Sequence, residues 1–207
     1  MYTLLTRAGW GSAIVEAALE LTRLPYRVET IASDIGEPDR DRLLALNPLG
    51  QLPTLLLPDG SVMTESAAMI LHLAETAPEA GLAPSVGAPE RAAYLRWLIF
   101  IVAAIYPTFT YGDDPSRYLD DEAAQKALRE ATDAQRQTLW RQVEAAVRGP
   151  WFLGAEFSAL DIYISIMTRW RPRRAWFAEA CPKLTAIAGA VERDPRLAPV
   201  IARNWPA

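Results

Sequence analysis

Two short stretches hold the residue types that could bind and activate a small peptide. In Gly50-Gln51-Leu52-Pro53-Thr54-Leu55-Leu56-Leu57 a proline stands at the mouth of an apolar run that reads as a buried strand. Proline has no N–H for a sheet ladder, so its placement calls for a reason. A cis Leu52-Pro53 bond supplies one: it turns the Leu52 N–H and C=O away from the sheet, where they can pair with the backbone of a bound peptide like one more strand at an edge. The second stretch, Thr64-Glu65-Ser66, opens a helix. Its N-terminal amides and the Ser66 hydroxyl suit a carboxylate, and Glu65 beside them suits an ammonium group. Together they suit an amino-acid head. The plainer reading is that both residues only complement a helix N-terminus.

The elements that must position these residues follow from periodicity. Residues 2–6 (YTLLT) read as a strand, and Arg7 to Ser12 as a Gly-rich turn. Ile14, Ala17, Ala18 and Leu21 have helical spacing. Tyr26 to Ile31 alternates like a strand, and Leu43, Leu44 and Leu46 suggest a short helix ended by Asn47-Pro48. After Pro53 come a turn at Pro58-Asp59-Gly60, a strand at 61–63 and a helix through Ala67, Ile70, Leu71 and Ala74. The order β-α-β-α-β-β-α suits a small α/β layer with a mixed sheet. Residues 78–89 carry many breakers and read as a linker.

Everything beyond reads as helical. The spacing predicts one helix over Glu90–Ile105, stopped or kinked near Pro107, and an amphipathic helix over Asp121–Arg148. A buried helix from Asp161 to about Arg171 and shorter ones over Lys183–Arg193 and Leu197–Arg203 follow. Ser158 and Asp161 read as a capping box, a folding feature.

The motif Asn47-Pro48-Leu49-Gly50-Gln51-Leu52-Pro53-Thr54-Leu55, followed by Asp59-Gly60 and Thr64-Glu65-Ser66-Ala67, resembles the cytosolic glutathione transferases. Beta-, theta- and zeta-like features are mixed. Tyr94, Trp97 and Ile101 are spaced as in the beta class, but Ile99 and Tyr106 stand where that class has Asn and His. The resemblance extends over nearly the whole chain. It implies a thioredoxin-like α/β domain over 1–78 and an all-α domain over 90–207. It also implies glutathione as co-substrate, held by Gln51, Leu52, Pro53, Glu65 and Ser66, and a homodimer joined through the helices around 66–77 and 90–105. The electrophile would lie between the domains, against Trp10, Tyr106, Phe109 and Tyr111, with Trp170 a further wall residue.

The chemistry needs a thiolate. A free thiol has a pKa near 8.5, so about 3% is ionised at pH 7. Lowering it by about two units takes about 2.7 kcal/mol, which one hydrogen bond to the anion and a helix N-terminus can supply. The family places the donor in the turn after the first strand. Here Gly9 stands where theta- and zeta-like members have serine, and Gly11 where beta-class members have cysteine. Ser12 is the nearest hydroxyl and is taken as the catalytic donor. The alternative is that Ser12 only caps the helix and a backbone N–H of the Gly9–Ser12 turn serves the sulfur.

Composition bounds the rest. The chain has 207 residues, a net charge of −4, one cysteine (Cys181) and one histidine (His72). An acidic balance disfavours nucleic-acid binding. One Cys with one His leaves no Cys/His zinc cluster, and no metal is expected. No signal segment is read at the N-terminus, and the apolar run Trp97–Tyr106 is too short to span a bilayer, so a cytoplasmic protein without membrane contact is expected. His72 and Cys181 read as packing residues, and Arg169, Arg171, Arg173 and Arg174 as a solvated helix end or an anion site. The expected activity is conjugation of the glutathione thiolate to a small apolar electrophile. Glutathione-dependent isomerase or dehalogenase work, or a non-catalytic binding protein on the same fold, are the alternatives.

Overall fold

The computed structural model describes residues 1–31 and 39–206. Backbone contacts divide the chain into two compact units, Met1–Ser85 with Gly189–Ala207, and Val86–Ala188. This differs from the division into 1–78 and 90–207 read from the sequence: the last residues of the chain group with the first unit.

In the first unit β1 (Tyr2–Thr6), α1 (Ser12–Thr22), β2 (Tyr26–Thr30), α2 (Arg40–Leu46), β3 (Thr54–Leu56), β4 (Val62–Met63) and α3 (Ser66–Thr76) follow the expected order. The sheet runs β2-β1-β3-β4. β1 pairs parallel with β2 and antiparallel with β3, and β3 pairs antiparallel with β4. The sheet is mixed, as the pattern predicts. All five residues of β1 are buried. α1 packs on β1, on α3 and on the C-terminal α10 (Ala198–Asn204), and ten of its eleven residues are buried. A smaller apolar cluster gathers Leu5, Ile31 and Leu43 with Leu46, Leu52 and Leu56. Burying the Leu52 side chain there anchors the loop before β3.

The second unit contains α4 (Arg91–Phe100), α5 (Tyr106–Asp113), α6 (Glu122–Ala145), α7 (Ala159–Met167) and α8 (Arg174–Ala180); α9 (Pro182–Glu192) runs across the boundary between the units. The helix expected to stop or kink near Pro107 continues through it, with an irregular turn just before. Residues Ile101–Ile105 form a π-helical turn, in which the Tyr106 N–H donates to the Ile101 C=O. Pro107 brings no N–H and its ring would press on the carbonyl four residues back; the wider π turn before it relieves both problems. α6 begins at its Asp121 cap, whose carboxylate accepts the Ala124 N–H at 2.7 Å, and ends at Ala145, three residues short of expectation. α7 is buried at every position and gives way at Thr168. α8 was not foreseen. By length and composition Arg91–Asp113 is apolar enough to cross a membrane; here α4 packs on α7 and α5 on α6.

Candidate functional site

Strand register brings the candidate residues of the first unit to one end of the sheet. Leu55 stands opposite Met63 and Leu56 opposite Val62. The ladder ends there, so the loop before β3 and the start of α3 leave the same end of the hairpin. On the other side Leu5 stands opposite Thr54, so the next step sets Thr6, and then the Arg7–Ser12 turn, beside Pro53 and Leu52. Three segments far apart in the chain thus converge: the turn after β1, the loop before β3 and the start of α3.

The Leu52-Pro53 bond is cis, as expected. The loop is held by the buried Asn47, whose Nδ2 donates to the Gln51 C=O at 3.0 Å and whose Oδ1 accepts the Leu49 N–H at 3.2 Å. The Thr54 hydroxyl donates to the same Gln51 carbonyl at 3.0 Å. With its neighbours tied down, Leu52 keeps both main-chain polar groups without a partner among the described residues. Main chain that the sheet has not paired is what an added strand requires. Gln51 contributes its carbonyl to the scaffold, a role for Asn47 and Gln51 that the sequence reading missed; the Asn-Pro pair was the available signal.

Glu65 precedes α3 with φ 66° and ψ 104°, backbone that a non-glycine residue adopts at a cost of about 1–3 kcal/mol. Its side chain is exposed and does not cap the helix. Ser66 is the first residue of α3, so its hydroxyl lies among the helix's open N–H groups. The strained residue lies two positions beyond the end of β4.

In the turn after β1 the Ser12 hydroxyl, expected as the thiol donor, donates to the Arg7 C=O at 3.1 Å and accepts the Arg7 N–H at 3.2 Å, and the residue is fully buried. These bonds close the turn on itself, as the capping alternative expects. Gly9 has φ +76°, a conformation that disfavours the serine other members carry there. The Gly9 N–H donates to the Asn204 Oδ1 and the Trp10 N–H to the Arg7 C=O. The N–H groups of Gly11 and Ser12 have no partner among the described residues. Gly11 lies at φ −60° and ψ −19°, backbone open to any residue, so glycine there serves bareness and not conformation. Trp10 is 44% exposed, with the Arg7 guanidinium 4.7 Å from its ring centroid.

In the second unit Tyr106 and Phe109 converge on Trp170, with ring centroids 5.8 and 5.4 Å apart. The Arg136 guanidinium lies 3.9 Å from the Phe109 centroid. The Tyr106 hydroxyl is buried without a partner, and that burial raises its pKa well above the usual phenol value. Tyr111 does not join them; it is exposed and packs on Tyr118. The basic run is taken up internally: Arg171 pairs with Asp113 and Asp133, and Arg174 donates to the Ser165 C=O. His72 meets the Tyr2 hydroxyl at 3.2 Å. Burial pushes the Cys181 thiol up to about 11, which leaves it protonated and inert.

A thioredoxin-like mixed sheet followed by a helical region, with a cis-proline loop and a strained helix start at one end of the sheet, defines the glutathione transferase fold. Residues 12–76 match the family model for the glutathione S-transferase N-terminal domain. The chain is 37% identical over 198 residues to the uncharacterized GST-like protein YncG of Escherichia coli, covering 95% of each chain. It is 31% identical over 169 residues, 81% of each chain, to glutathione S-transferase GST-4.5 of Xanthomonas campestris. Among solved structures it is similar to a glutathione transferase homologue from Sulfitobacter with bound glutathione, at a TM-score of 0.83 and 27% identity, covering 97% of this chain and 96% of the other. The chain belongs to the glutathione S-transferase family.

Proposed function

We propose that this protein is a glutathione transferase that joins the glutathione thiolate to a small apolar electrophile. The observation that carries this reading is the main chain of Leu52, without a partner among the described residues and presented beside the cis-proline. The cysteinyl backbone of glutathione pairs with the Leu52 N–H and C=O. Its γ-glutamyl carboxylate takes the Ser66 hydroxyl and the open amides of α3, and its ammonium group takes Glu65. The bound glutathione of the Sulfitobacter homologue supports the same co-substrate here.

The thiol donor in this reading is the Gly11 N–H, not the Ser12 hydroxyl. An unpaired buried amide costs about 1–3 kcal/mol, and a sulfur anion at that bare position takes the bond. With the N-terminus of α1, this reaches the roughly 2.7 kcal/mol that a two-unit depression of the thiol pKa requires. The thiolate then attacks the electrophilic carbon, forming the C–S bond as the leaving group departs with its electron pair. Trp10, 44% exposed, offers aromatic surface for the electrophile. A cytoplasmic homodimer is the assembly this reading expects.

A second reading, a binding protein without catalysis, is favoured by one observation: the Ser12 hydroxyl already bonds both main-chain groups of Arg7. Calorimetric titration with glutathione, followed by ultraviolet titration of the bound thiol, separates the readings. Binding with a thiol pKa lowered by about two units supports the transferase. Binding with an unchanged pKa supports the second reading, and absence of binding at millimolar glutathione sinks both.

A further inference from the structure

The sulfur turn is tied to the far end of the chain. The Asn204 side chain, on α10 and only 5% exposed, makes three hydrogen bonds. Its Oδ1 accepts the Gly9 N–H at 3.2 Å. Its Nδ2 donates to the Glu16 carboxylate of α1 at 2.8 Å and to the Val200 C=O at 3.0 Å. A Cβ on Gly9 would meet the Asn204 carbonyl at 3.7 Å and the Trp205 indole nitrogen at 3.6 Å, so the end of α10 lies against the turn. Glu16 is itself 2% exposed and is also held by Arg203, whose Nε donates to it at 2.6 Å. Arg203 further donates to the Tyr26 hydroxyl at 3.2 Å, and that hydroxyl donates to Glu20. The clasp therefore has two parts. Arg203 docks α10 on α1 through charge, and Asn204 reaches across to the turn.

A carboxamide suits this place for a chemical reason. It presents an acceptor to the Gly9 amide on one side and a donor to a buried carboxylate on the other. Aspartate would set a second anion against Glu16, and an apolar residue would leave both the Glu16 oxygen and the Gly9 amide unpaired. Gly9 sits in left-handed backbone, which the turn must hold without help from a side chain of its own. The bond to its N–H fixes where the next amides point, those of Gly11 and Ser12.

We infer that Asn204 is a positioning residue for the thiol-binding turn, holding Gly9 so that the unpaired amides at the start of α1 face the sulfur. The inference rests on the transferase reading above, and the test distinguishes failure of one from failure of the other. Asn204→Ala and Arg203→Ala are compared with the natural protein. Without glutathione, amide exchange at Gly9 is measured by NMR. With glutathione bound, the thiol pKa is measured by ultraviolet titration, and kcat and KM with an activated aryl halide.

Asn204→Ala is expected to speed Gly9 exchange about fivefold, the factor one neutral hydrogen bond is worth. It is expected to raise the thiol pKa by about half a unit to one unit, with kcat near neutral pH falling about 1.5- to threefold as thiolate is lost and KM for glutathione little changed. Arg203→Ala is expected to lower Tm while leaving the thiol pKa in place. Unchanged Gly9 exchange in Asn204→Ala overturns the inference. So does faster exchange with an unmoved thiol pKa, or an equal pKa rise in Arg203→Ala, which would assign the effect to docking of α10 as a whole. A natural protein that binds glutathione without lowering its thiol pKa overturns the transferase reading instead; Gly9 exchange then still decides whether Asn204 holds the turn.

Discussion

Two helix starts in this molecule solve the same problem in opposite ways. Every α-helix begins with N–H groups that lack an intrahelical partner. At α7 the chain satisfies them itself. Ser158 is extended, and its N–H donates to the Asp161 carboxylate at 2.8 Å in a capping box. The same carboxylate accepts the Phe152 N–H at 2.8 Å and the Ser158 hydroxyl at 3.3 Å. At α3 the cap residue is Glu65, in strained backbone, with an exposed side chain that caps nothing. One start is capped by its own side chains and buried; the other begins at a residue in strained backbone whose side chain does not cap it.

The largest test of this contrast is removal of the cap at α7. Asp161→Ala leaves two backbone amides buried without a partner and is expected to cost about 3 kcal/mol of stability by denaturant unfolding, with the remaining folded protein binding glutathione normally. Loss of glutathione binding at unchanged stability would reverse the assignment of the two starts.

Acidification sharpens the same point. Burial is the chief cause that raises the Asp161 carboxyl from 3.8 to about 6. A group whose folded pKa lies above its unfolded value favours folding when protonated. Its contribution is present in full below about pH 4 and is lost as pH rises through about 6. The natural protein is therefore expected to gain about 2–3 kcal/mol relative to Asp161→Asn between pH 7 and pH 4. Parallel stability curves for the two proteins across that window would show that Asp161 does not titrate there.

At the start of α3, strain and binding should separate. Glu65→Gly relieves the backbone and is expected to raise stability by about 1 kcal/mol while weakening glutathione binding. Glu65→Ala keeps the strain and weakens binding alone. A Glu65→Gly variant that binds as well as the natural protein would mean the strained residue holds no ligand. Ser66→Ala should lower glutathione affinity about tenfold, the worth of one hydrogen bond to a charged group, with Tm unmoved.

The smallest effect belongs to Ser12. Ser12→Ala opens the clasp on Arg7 and is expected to lower stability by about 1 kcal/mol, leaving the thiol pKa of bound glutathione where it was. A raised thiol pKa would restore Ser12 as the donor.

Much of the molecule was legible in the chain because it rests on local rules. Period-two and period-3.6 spacing marked all four strands and most helices. Ser158 and Asp161, three apart before an apolar run, announced their capping box. Pro53 at a strand mouth announced its cis bond. The misses were contextual. α8 is seven residues between Pro172 and Pro182, too short to show a period. The π turn before Pro107 carries the same residue pattern as the α-helix around it. Ser12 could be placed at a helix start, but the direction of its hydroxyl depends on the Arg7 backbone folding back over it.

The sequence by itself determined the order of elements, the cis-proline loop and the identity of the residues at the start of α3. Each of these follows from backbone sterics and side-chain periodicity within a few neighbouring residues. Only the tertiary structure decided which donors remain open. Asn204 reaches Gly9 across 195 positions, the hairpin register brings the loop before β3 and the start of α3 to one end of the sheet, and the Ser12 hydroxyl bonds back to Arg7. A hydrogen bond is satisfied or left open by where the folded chain returns, and the sequence records residue types without recording that return.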